Sequence, residues 1–149
     1  MQSTSALITA IGNALVNDAA INAWCLAQFT QSLAVYEGDP EDIAPPAIAI
    51  LSVTGHDRAE NNREIVRQVL IGCAVENTAT VTSGNKTVYT GMHQAETMRE
   101  MAEDAIYRAH LGSVTTEFSS DPDVRHPLYV VYAAISIAEL KTTRQRLPG

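Results

Sequence analysis

Four histidines, two cysteines and one cluster of carboxylates are the groups through which this sequence could do chemistry. None of His56, His93, His110 and His126 has a second histidine three or four residues away, the spacing that puts two metal ligands on one helix face. His93 and Glu96 stand three apart, half of a metal pair, but no second ligand set accompanies them and no metal site is expected. His56 lies beside Asp57 in a polar stretch and reads as solvated. His110, near a helix end, has a sufficient structural role against the helix dipole. His126 precedes Pro127 at a strand entry and calls for no special role. Asp39, Glu41 and Asp42 crowd a proline-rich turn, where carboxylates are solvated; acid–base work calls for an apolar cleft. Cys25 and Cys73 each sit in an apolar stretch and read as buried, reduced thiols; there is no CxxC, and a disulfide stays open at this level. GxSxG, GxxxxGK[ST] and GxGxxG are absent, and Asn85-Lys86-Thr87 fits a glycosylation acceptor only in a secreted chain. The chemistry-bearing residues therefore predict no catalytic residue, metal or cofactor, and point to binding or assembly.

Composition sets the frame for those residues. The chain has 149 residues, 46% hydrophobic and 18% charged, which is the size and make-up of one folded domain spanning 1–149. Residues 1–5 lack the basic region of a signal peptide, and the longest apolar run, Leu128 to Ala138, is too short to cross a bilayer. A soluble protein made in a cytosol is expected. Its net charge of −7 is spread unevenly. No Lys or Arg precedes Arg58, whereas Lys141, Arg144 and Arg146 fill the last nine residues with no acid among them. That tail reads as a frayed terminus or as a docking strap for an acidic neighbour. So acidic a domain is a poor reader of nucleic acid, yet it suits a channel through which DNA passes without sticking.

The elements follow from periodicity. Ser3 or Thr4 caps a helix to about Asn17 with Leu7, Ile8, Ile11 and Leu15 on one face, and Asp18 caps a second through about Gln28. Trp24 reads as a core anchor. Ser32 to Glu37 is a short strand stopped by Gly38-Asp39-Pro40, and Pro45-Pro46 lead into a strand from Ala47 to Thr54. That strand is apolar on both faces, with Ile48 and Ile50 set against Leu51 and Val53, so a central place is expected. Gly55 to Arg63 reads as an exposed loop. Glu64 to Glu76 is a long strand whose core face is interrupted by Arg67. Asn77 to Gly91, around Ser83-Gly84-Asn85, is a protruding hairpin. A helix from Met92 to Leu111 ends at Gly112, burying Ala95, Met98, Ala102, Ala105, Ile106 and Ala109. Its charged face is Glu96, Arg99, Glu100, Glu103 and Arg108, with Asp104–Arg108 as a supporting pair. A short strand (Val114 to Ser119), a loop (Ser120 to His126) and a long strand (Pro127 to Leu140) close the chain. The class expected is α+β: a mixed, mainly antiparallel sheet of about four to six strands, packed by a long helix, with N-terminal helices.

This order carries a resemblance. Two helices, a strand ending in Val35-Tyr36, Gly-Asp-Pro, the strand Pro46-Ala47-Ile48-Ala49-Ile50, an acidic Ala- and Met-rich helix, Asp-Pro-Asp and the run Tyr129-Val130-Val131-Tyr132-Ala133-Ala134-Ile135 together resemble the tail terminator (tail-completion) proteins of long-tailed bacteriophages. The resemblance covers nearly the whole chain through element order and texture. It implies a homo-hexameric ring that caps the tail tube, with the tube protein and the head–tail connector or stopper as partners and DNA passing through the lumen unbound. It also implies a place in the virion, reached from the host cytoplasm. Other head–tail junction rings, a small α+β enzyme or ligand binder, and a host adaptor domain are the alternatives. Loops Gly55–Arg63 and Asn77–Gly91 are the expected contact segments, with Arg58, Arg63, Lys86 and Tyr89 as candidate interface residues.

Overall fold

The computed structural model describes residues 2–57, 64–118 and 123–140. Helix α1 (Thr4–Asn17) starts where the Ser3 hydroxyl accepts from the Ala6 amide. Helix α2 (Ala19–Phe29) starts where the Asp18 carboxylate accepts from the Ile21 amide. Strands β1 (Ala34–Glu37), β2 (Ala47–Asp57) and β3 (Glu64–Glu76) follow, then the hairpin β4 (Thr80–Ser83) and β5 (Lys86–Tyr89). Helix α3 (Thr90–Arg108), β6 (Ser113–Phe118), β7 (Asp123–Arg125) and β8 (Leu128–Leu140) complete the order. The fold is α+β. One six-stranded sheet runs β1-β2-β3-β8-β6, with β7 also paired to β8; β1 and β2 are parallel and the other pairings antiparallel.

All three described helices lie on one face of this sheet. Leu7, Ile11 and Leu15 of α1, Ile21 and Cys25 of α2, and Ala95, Met98, Ala102 and Ile106 of α3 meet Ile48, Ile50, Val69, Ile71, Cys73, Val131, Ala133 and Ile135. Trp24 packs partly buried against this core, edge-on to Phe29 at 5.6 Å. The cysteines are free and buried; burial pushes the Cys25 thiol up to about 11 and the Cys73 thiol higher still, so neither is a ready nucleophile.

Several expectations are corrected. A bulge at Leu51 shifts the register between Ile50 and Ser52, so Val53 joins the core face of Ile48 and Ile50 instead of opposing it. Strand β2 continues through Gly55-His56-Asp57, because ladder pairing with Arg67, Val66 and Ile65 extends it beyond its apolar stretch; the rest of that expected loop lies outside the described residues. Helix α3 starts at Thr90, directly after Tyr89, which ends β5 and serves as its N-cap. It ends at Arg108 because His110 takes the left-handed position (φ 53°) that stops it. Gly112 has another purpose: a Cβ there would come within 2.6 Å of the Ala138 carbonyl oxygen, so glycine lets the chain press against β8. Arg99 does not face water, and Arg108 makes its ion pair with Asp18 across the helices at 2.6 Å, with Asp104 adding a favourable electrostatic interaction. The expected loop before the last strand contains β7.

Candidate functional site

Two surfaces stand out on this scaffold. The first is the β4–β5 hairpin, which pairs with no other strand among the described residues and is exposed along nearly its whole length. Its turn is Gly84-Asn85, and Gly84 supplies the positive φ (61°) that a tight two-residue connection needs at its first position. A two-stranded ribbon is marginal in water, so the hairpin depends on its mounting. The Asn77 side chain donates to Gln94 Oε1 at 2.7 Å and accepts from the Ala79 amide at 2.8 Å, while its backbone amide donates to the Pro127 carbonyl at 2.9 Å. Gln94 in turn donates to Gln28 Oε1 at 3.0 Å, tying the hairpin foot to α2.

An aromatic group completes this foot. Tyr89 sits 5.2 Å from the His126 ring, edge to face, and His126 Nδ1 lies 2.6 Å from the Tyr129 hydroxyl. Tyr129 is buried against Gly91, and burial, with Tyr89 nearby, raises its phenol above the ordinary tyrosine range. His126 therefore has a defined partner that its sequence position did not signal. Of the candidate interface residues, Lys86 and Tyr89 share the exposed hairpin; Arg58 and Arg63 lie outside the described residues.

The second surface is the helix-free face of the sheet. Ala47 and Ala49 of β2, Gly72 and Ala74 of β3, and Val130 and Tyr132 of β8 point to this side, away from the helices. These small residues floor a cleft of about 220 Å³ walled by Ile43, Leu51, Leu128 and Tyr132. Gly72 is needed there because a Cβ would crowd the Tyr132 ring at 3.2 Å and Leu51 at 3.4 Å. The cleft is rimmed by the acidic turn. Gly38 donates to the Ile50 carbonyl, Ile43 packs against Ala47, Ala74 and Val130, Asp39 lines the cleft, and Glu41 and Asp42 are exposed in the same turn.

A third polar cluster is structural. Arg67, which interrupts the core face of β3, donates to the Gln2 carbonyl at 2.7 Å and stands 3.6 Å from Glu139. Gln2 closes the loop with donations from its backbone and side chain to the same carboxylate. Among the described residues, no group of three or more His, Cys, Asp and Glu could hold a metal ion, and His93 and Glu96 gain no further ligand. Among them, too, no helix is long and apolar enough to cross a membrane. Neither a family model nor a curated protein matches this chain.

Proposed function

We propose that this chain is a structural virion protein: a subunit of a ring, most simply a homo-hexamer, that caps a phage tail tube and joins it to the head–tail connector. One observation carries the reading. Around the cleft the central strands β2, β3 and β8 are apolar on both faces, yet the helices cover only one of them. Antiparallel sheets that end at water show a polar outer face. A sheet that keeps half-buried Leu51, Leu70, Tyr132 and Ala134 on its open side, next to Ala47, Ala49 and Val130 that its own turn buries, is completed by another protein surface. The rigidly footed hairpin supplies a second contact element, with Lys86 and Tyr89 at its disposal. The cleft also falls below the roughly 300–1,000 Å³ usual for small-molecule sites, which favours side-chain docking over ligand turnover.

In this reading, heterologous contacts between subunits close by rotation into a ring, one surface of which meets the last tube ring and the other the connector. The acidic surface leaves the lumen non-adhesive to DNA phosphates. Electron micrographs of infected cells lacking the protein test it: filled heads beside unattached tails, some overlong, are expected. Normal-length tails joined to heads would rule the function out, and absent tails would move the protein to the tube or its initiator.

A further inference from the structure

We propose that the basic C-terminal segment 141–149 of one copy docks on the helix-free face of a second copy, with Leu147 in the cleft and Arg144 and Arg146 against the acidic turn. The inference rests on the reading of this chain as a self-assembling unit and names the contact that joins its copies. Three observations carry it.

The cleft comes first. Its 220 Å³ between Ala74, Leu51 and Tyr132 holds one or two aliphatic side chains and is too small for a cofactor. The segment offers Leu147-Pro148 as its apolar pair. Second is charge. Asp39 lines the cleft, and Glu41 and Asp42 follow it in the same exposed turn, in a stretch where no Lys or Arg occurs before Arg58. The segment carries Lys141, Arg144 and Arg146 and no acid. Arginines beside exposed carboxylates steer encounter and fix orientation, while the buried leucine supplies the anchor.

Third is reach. In β8, Val130 lies opposite Ala74 at the cleft floor, and Leu140 lies opposite Glu64 at the far end of the strand. The ten residue steps from one to the other span about 33 Å at roughly 3.3 Å per step. Leu147 is seven residues past Leu140 and, fully extended, returns at most about 25 Å. Fully extended, the segment reaches at best the Leu51–Tyr132 edge of its own cleft and falls short of the Ala74–Val130 floor, so the occupant seated on that floor comes from another copy. Because cleft and tail leave opposite ends of one sheet, the contact is head-to-tail, the kind that builds rings.

The test uses the full-length chain with its own tail disabled by Arg144→Glu, Arg146→Glu and Leu147→Asp. A fluorescent peptide of residues 141–149 is titrated into it and followed by anisotropy. Saturable binding is expected, weakened about tenfold or more by raising salt from about 50 to 500 mM, since the contact is partly a screened surface one. The same loss is expected with Asp39→Lys/Asp42→Lys in the exposed turn, and with a peptide carrying Leu147→Asp. The unaltered chain should self-associate above the peptide's dissociation constant, and the tail-disabled chain should not.

Absence of peptide binding at low salt overturns the proposal. So does binding that ignores the turn and Leu147 changes, or a tail-disabled chain that still assembles, which would put a second copy's sheet on this face instead. An unaltered chain that masks its own cleft while staying monomeric overturns docking between copies. The phage role is tested separately by the null phenotype, so failure of one does not entail failure of the other.

Discussion

Arg99 stands on the charged side of α3, yet it is only 5% exposed, held between Glu96 at 3.0 Å and Glu103 one turn on, with Glu100 at 3.9 Å. Burial opposes its charge, but the hydrogen bonds it donates to Glu96 and Glu103 outweigh that and raise its pKa further. Arg99→Ala would leave those carboxylates crowded without their cation. A loss of about 2–3 kcal/mol is expected by urea unfolding, below the value for a fully buried pair because Glu96 and Glu100 reach solvent. The double variant Arg99→Ala/Glu103→Ala should cost clearly less than the sum of the two single changes. Gly91 poses the opposite problem. Alanine there favours a helix, but its Cβ would come within 2.5 Å of the Tyr129 ring, which is buried and tied to His126. Overpacking should win, so Gly91→Ala should destabilise by about 1–3 kcal/mol.

At the scale of elements, Asp18 joins three of them. It follows α1, caps α2 and receives Arg108 from the end of α3. Burial pushes its carboxyl up, but the hydrogen bonds from Arg108 and the Ile21 amide prevail and leave it below the usual carboxylate range. A depressed folded pKa contributes stability above the unfolded value of about 3.9, and that stability is lost as pH falls through the folded value. Asp18→Ala should therefore cost about 1–2 kcal/mol at pH 7, with the gap between parent and variant closing below about pH 4. Asp18→Asn keeps the cap and should lose only the Arg108 share. The hairpin behaves differently, because its strands are exposed and, among the described residues, pair only with each other. Removing Thr82, Ser83, Lys86 and Thr87 while keeping Gly84-Asn85 should leave the melting temperature within a degree or two and weaken assembly. Unchanged assembly by native mass spectrometry would remove the hairpin from the interface.

For the whole molecule, the two faces of one strand make the decisive contrast. Ile71 points into the helix-covered core and Leu70 to the open face, one residue apart on β3. Ile71→Arg would bury an unpaired charge and should cost more than about 4 kcal/mol, preventing folding. Leu70→Arg, half-buried on the open side, should cost no more than about 1 kcal/mol in the isolated chain and abolish ring formation. Equal damage from both changes would mean that the open face is core in the monomer, and the assembly argument would lose its basis.

Much of this architecture was legible in the residues alone. Glu64–Glu76, both N-terminal caps and the hairpin follow from alternation, capping chemistry and turn residues, all of which act within a few positions of the chain. The bulge at Leu51 escaped because alternation cannot show a ladder slipping against its partner. Arg99 escaped because helical spacing gives a face but not what covers it, and His126 because its partner's role depends on Tyr129 packing over Gly91. The open cleft escaped for the same reason. Sequence showed β2 and β8 apolar on both sides, and a central strand buried on both faces would read identically. Only the tertiary structure decided that the helices gather on one side, since that choice depends on contacts between segments far apart in the chain, which no short-range pattern encodes.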